Sequence, residues 1–126
     1  MTPLTACMLV AAGGAAGSVC RFLGAGLLDG RLGGLPVGTL AVNVAGCLLI
    51  GLAAGWIDRP WVKPLLMTGF LGGFTTFSAF SLQTLDLVQK DRWLAAGGYV
   101  AASLALCLAA VWAGWTLGRA LASPAA

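Results

Sequence analysis

A chain of 126 residues is one domain by length, and 60% hydrophobic residues against 9% charged excludes a soluble globular domain. The seven basic residues are scattered singly among short connections, so the net charge of +3 points to no nucleic-acid partner. Histidine is absent and the four carboxylates, Asp29, Asp58, Asp86 and Asp91, fall at the edges of apolar stretches, which leaves no catalytic constellation and argues against an enzyme.

The charged positions leave four charge-sparse stretches, each long enough for the roughly 20 residues a spanning helix needs. They predict an all-α, multi-pass protein of the lipid bilayer with helices at about 4–28, 36–57, 64–85 and 93–118. No Lys or Arg precedes Arg21, so the first stretch lacks the basic leader of a secretion signal and counts as a span. Gly13 and Gly17 lie four apart on it, a spacing that lets helices approach closely. Gly51/Gly55, Gly69/Gly73 and Gly114/Gly118 repeat it. Arg21, near the membrane end, either snorkels to the headgroups or lines a vestibule that attracts anions. Asp29, Gly30, Arg31, Gly33 and Gly34 form the first loop, and Pro36 can open the second helix.

Span two carries Thr39 and Asn43 at i, i+4, with Cys47 on the same stripe. The Asn43 amide either clamps a neighbouring helix or presents donors to something passing through. A turn from Asp58 to Lys63 with an interfacial Trp61 leads to Pro64.

Span three is free of charge from Pro64 to Leu85, yet holds Gly69, Gly72 and Gly73 followed by Thr75 and Thr76. Residues of that kind weaken a helical ladder, and opened carbonyls at membrane depth must meet protein or a water-filled cavity. A third helix broken in mid-membrane, with an ion site at the break, is the expectation. If the helix resumes after the break, Phe74, Phe77 and Phe80 make one row and Thr75, Ser78 and Ser81 the adjacent one. The alternative turns the rings to lipid or neighbouring helices and bonds the hydroxyls back to carbonyls one turn earlier. Gln83, Asp86, Gln89 and Lys90 mark the return to water.

Span four opens with Trp93, places Tyr99 and Ser103 at i, i+4, and closes with Trp112 and Trp115 as interfacial candidates. Tyr99 is too deep for an aromatic belt, so its hydroxyl should seek an internal partner, in another span or in the lining of a pathway. Ala120 to Ala126 reads as a frayed tail. Cys7, Cys20, Cys47 and Cys107 all lie in the spans at unrelated spacings, which indicates packing residues instead of a disulfide framework or zinc site.

With four spans, Arg59, Lys63 and Arg119 share one side and Arg31, Lys90 and Arg92 the other; Arg21 makes it four against three. So even a balance gives the positive-inside rule little to act on, and insertion in both orientations with an antiparallel pair of chains follows. The interior then offers neutral donors: Thr39, Asn43, Thr75, Thr76, Ser78, Ser81, Tyr99 and Ser103, with Arg21 at an edge. Donors without fixed negative charge suit an anion, and the positive edges of phenylalanine rings can add to them.

At these residues the chain resembles the Fluc, or CrcB-type, fluoride channels. The likeness runs through the Gly-Gly-Ala-Ala-Gly-Ser-Val-Cys-Arg run ending at Arg21, the Gly38-Thr39-Leu40-Ala41-Val42-Asn43 segment and, most specifically, Gly69 to Ser81. It implies an antiparallel dual-topology homodimer in a prokaryotic plasma (inner) membrane, with two pores that passively export cytoplasmic fluoride. Phe77 and Phe80 match the family's phenylalanine box, Asn43 its polar pore residue and Arg21 its vestibule base. Ser78 and Ser81 match its polar track, and Tyr99 and Ser103 its pore-associated positions in the fourth span. The backbone carbonyls of Gly72 and Thr75 from both chains are implied to hold a structural sodium ion (Na+). Ala79 departs from the family's usual threonine and removes one hydroxyl.

Two other readings compete with a channel. A small four-helix secondary transporter of the multidrug-exporter kind needs a membrane-embedded carboxylate, which is missing here. A non-conducting structural subunit would show no flux alone.

Overall fold

Most of the helices start where a side chain or a proline deals with the unpaired N–H groups of the first turn. In α1 (Pro3–Leu28) the Thr2 hydroxyl accepts the Thr5 N–H at 3.2 Å, and Pro3 has no N–H to leave stranded. Before α2 (Val37–Trp56) the chain passes through Pro36, and the Asp29 carboxylate accepts the Gly38 N–H at 2.8 Å. An anionic cap there also meets the positive end of the helix dipole. This computed structural model describes residues 1–29 and 33–122. Gly30 and Arg31 of the first loop, and the expected tail beyond Ala122, lie outside the described residues.

Helix α3 runs Lys63–Leu71 in wide π-type turns and continues as α-helix over Gly72–Phe74. Thr75 and Thr76 follow in extended conformation, with φ, ψ of −86°, 158° and −151°, 125°. Helix α4 (Phe77–Gln89) then opens under a cap in which Thr76 Oγ1 accepts the Ala79 N–H at 3.1 Å. It continues a turn past the expected end near Leu85, because Asp86 and Lys90 form an i, i+4 pair at 2.7 Å over its last turn. It stops at Asp91, whose φ of 56° lets Arg92 N–H reach Leu87 O and Asp91 N–H reach Val88 O. That is the Schellman stop with aspartate in the position glycine usually takes. Helix α5 (Trp93–Ala122) completes the chain and includes residues expected to fray.

Pro3–Leu28, Val37–Trp56, Lys63–Gln89 and Trp93–Ala122 are each long and apolar enough to cross a bilayer, so the chain is an all-helical, multi-pass membrane protein. Lipid supplies no hydrophobic drive between helices, so they pack by close contact of small residues. The glycine pairs do this in two parallel seams. A Cβ on Gly13 would lie 2.8 Å from Phe70 N and one on Gly73 2.6 Å from Gly14 O, which joins α1 to α3. Gly51 meets Val111 and Trp115, while Gly114 meets Leu48 and Leu52, which joins α2 to α5. Phe80, Leu87, Ala96 and Tyr99 form the buried cluster that seats α4 on α5.

Candidate ion-binding site

Two extended residues between helices leave backbone groups without ladder partners, and in an apolar surround each needs another. Asn43 supplies both for Thr76: Nδ2 donates to Thr76 O at 2.9 Å, and Oδ1 accepts the Thr76 N–H at 2.7 Å. The amide on α2 therefore acts as the clamp, and its second N–H remains for the groove it lines. Arg21 Nε donates to Gly73 O at 3.0 Å, so this guanidinium binds backbone at the same place.

This pattern redirects the donors that two carbonyls would have in an unbroken helix. For Gly72 O the ladder donor would be the Thr76 N–H, which Asn43 takes; for Thr75 O it would be the Ala79 N–H, which Thr76 Oγ1 takes. Both carbonyls therefore suit hard-oxygen ligation of a small cation. Gly72 is also exposed on the chain's surface.

Beside the clamp lies an open groove of about 250 Å³ lined by Asn43, Phe77, Phe80 and Ser103, together with Cys47 and Cys107. Phe77 and Phe80 are one turn apart, their ring centroids 5.3 Å apart and the planes tilted 47°; Phe80 meets Tyr99 at 5.3 Å and 45°. Tilted rings present edges as well as faces. Ser103 Oγ is buried and, among the described residues, has no hydrogen-bond partner. Such a hydroxyl costs about 1–3 kcal/mol unless something in the groove accepts or donates to it.

Past Phe80 a second polar chain crosses three helices. Tyr99 Oη donates to Gln83 Oε1 at 3.0 Å, and Gln83 Nε2 donates to Thr39 Oγ1 at 2.8 Å. Thr39 and Tyr99 are thus joined by a residue the sequence pattern assigns to the return to water. The available signal was spacing, since Gln83 lies three residues after Phe80 on the face that meets α5. The sequence marks Cys47 and Cys107 only as packing residues, and neither has a local pattern that identifies it as lining.

The expected rows differ from the structure on one side of the extended pair. Phe74 precedes it and stacks on Phe70, with centroids 6.0 Å apart and planes 7° from parallel, so it does not continue the Phe77–Phe80 row. Thr75 likewise sits before α4, and its hydroxyl donates back to Leu71 O at 3.0 Å. The reason is that two extended residues reset the helical phase. Ser78 and Ser81 are exposed on the single chain; Ser78 Oγ lies 3.2 Å from Thr76 Oγ1, and Ser81 Oγ donates back to Phe77 O at 2.9 Å. Glycine's part also differs: Gly72 and Gly73 remain helical, Gly73 presses on α1, and the helix stops at the threonines.

Residues 8–115 match the family model described as CrcB-like protein, Camphor Resistance (CrcB). The chain is 52% identical over 116 residues to the "Fluoride-specific ion channel FluC" of Paracoccus denitrificans, covering 89% of this chain and 93% of that one. A protein of the same name from Rhizobium etli is 50% identical over 120 residues, with 90% and 96% covered. Another from a Caulobacter species is 44% identical over 129 residues, with 95% and 99% covered.

Proposed function

The chain belongs to the CrcB-like family, and from that premise we propose that it is a fluoride-selective ion channel. The observation that carries this reading is the convergence of Asn43, Phe77, Phe80 and Ser103 on one groove whose lining holds no charged side chain. An anion stripped of water there meets N–H and O–H donors and ring edges, with no carboxylate to repel it. A larger halide reaches the same contacts less closely, and this favours fluoride. Transport is passive, since the groove has no titratable carboxylate or histidine for proton coupling.

The finer architecture is part of the proposal. Phe77 is 74% exposed on the single chain, and the groove is open along its side. A second, oppositely inserted copy covers both and makes two pores, consistent with the near balance of basic residues across the membrane. The extended pair Thr75–Thr76 then lies at mid-membrane where the copies meet. Gly72 and Thr75 carbonyls from both chains would hold a structural sodium ion there, and the bound ion supplies charge that offsets the negative ends of those carbonyls. Thr39, Tyr99, Ser78, Ser81 and Arg21 extend the polar route on either side of the rings. In a prokaryotic inner membrane such a channel lets cytoplasmic fluoride leave down its electrochemical gradient.

Fluoride and chloride efflux from liposomes containing the purified protein tests this. Rapid fluoride efflux with little chloride is expected. Comparable chloride efflux defeats the selectivity, and no efflux of either ion defeats the channel.

A further inference from the structure

The contacts between α2 and α5 follow one register. Gly51 lies against Val111 and Gly55 against Trp115. Carried back along both helices at the same offset, that register pairs Cys47 with Cys107, Asn43 with Ser103 and Thr39 with Tyr99. The outer pairs agree with it: Thr39 and Tyr99 share Gln83, and Asn43 and Ser103 line one groove. The middle pair does too, since both cysteines are free and line that same groove. Two thiols from two helices held side by side in a wall are a ligand pair.

We propose that Cys47 and Cys107 form a two-coordinate binding site for a soft, thiophilic d10 cation of the Hg(II) class. Thiolates select soft ions, and two ligands suffice for a linear complex. Among the described residues no group of three or more His, Cys, Asp or Glu side chains is placed to hold a metal, so four-coordinate zinc is not served. In the binding step each thiol gives up its proton, two Hg–S bonds form and two protons leave to solvent, with no change of oxidation state. The product is neutral at the site, which matters in an apolar wall where a net charge is costly. The ion would occupy space beside Asn43, Phe80 and Ser103. Its effect on flux rests on the fluoride-channel reading; its binding does not.

The test begins from full-length protein in which the two exposed cysteines are replaced, Cys7→Ala with Cys20→Ala. Mercuric chloride is added at one equivalent per chain, excess monothiol follows, and retained metal and maleimide-reactive thiols are counted by intact mass. We expect one mercury retained and both thiols protected. Further replacement, Cys47→Ala or Cys107→Ala, should release the metal to the monothiol. Mercury retained with one thiol still maleimide-reactive, or loss from the parent as easily as from the single-thiol variants, overturns the site. In liposomes, one equivalent should lower fluoride efflux from the parent. Bound metal with undiminished efflux removes the site from the permeation groove. Absence of efflux before any mercury is added sinks the channel reading and leaves the metal count standing.

Discussion

Helices α2 and α5 touch along their length, and the two ends of that contact behave oppositely. Toward the end of α2 that carries Gly51 and Gly55, glycines bring backbone onto backbone: a Cβ on Gly55 would stand 2.9 Å from Arg119 N, and one on Gly114 2.8 Å from Leu52 N. Toward the other end the same four-residue spacing places Thr39, Asn43 and Cys47 on α2 and Tyr99, Ser103 and Cys107 on α5, and a groove opens that Asn43, Cys47, Ser103 and Cys107 line. Spacing is common to both ends. What differs is side-chain volume and polarity, so the same stripe that seals one half of the bundle lines a cavity in the other. The polar half also recruits α4, through Gln83 and the backbone of Thr76, to satisfy its hydrogen bonds.

The largest expected effect comes from the sealed end. Gly114→Leu would drive a side chain into the backbone of Leu48 and Leu52, which cannot yield, so a loss of about 3 kcal/mol, the upper end of the usual overpacking range, is expected. A melting curve in detergent reads it, and unchanged melting would show that this seam carries little stability. At the open end Phe80→Ile keeps an apolar residue but removes the ring edge that faces Phe77 and Tyr99. Fluoride efflux should fall about tenfold or more, equivalent to about 1.4 kcal/mol in the barrier, with assembly retained. Full efflux in that variant would reduce the aromatic pair to packing.

Asn43→Ala touches both properties. It strands the N–H and C=O of Thr76, for about 1–3 kcal/mol of stability, and removes a donor from the groove. Lower melting together with slower efflux is expected; slower efflux alone would mean that another group replaces the clamp. The smallest effect is Tyr99→Phe, which deprives Gln83 Oε1 of its donor while Gln83 still donates to Thr39. About 1 kcal/mol or less in stability is expected, with efflux reduced only a few-fold. A larger loss of efflux than in Phe80→Ile would move the selective step from the rings to the Tyr99–Gln83–Thr39 chain.

Much of the bundle was legible before any contact was known. The spans could be counted because the rarity of charge over twenty residues is a local property, and the glycine pairs because four residues is one helical turn. Asn43 stood out as the strongly polar residue of its span. Its task did not, because clamp and pore donor call for the same amide, and only the position of Thr76 shows the clamp. The glycines before Thr75 looked like the cause of an opened helix. In the structure Gly73 serves packing against α1, and the ladder yields at two residues that Asn43 and the Thr76 hydroxyl hold in extended form.

Composition and the order of charged and apolar residues by themselves determined that this chain is a membrane bundle of four spans, with donors and aromatic rings gathered in the third. They suffice because transfer into lipid is a sum over neighbouring residues along the chain. Only the tertiary structure decided that Phe74 leaves the ring row, that Gln83 ties Thr39 to Tyr99, and that Cys47 and Cys107 line one groove. Those outcomes depend on the register of one helix against another, which is fixed by contacts between residues far apart in sequence and leaves no period to be read along it.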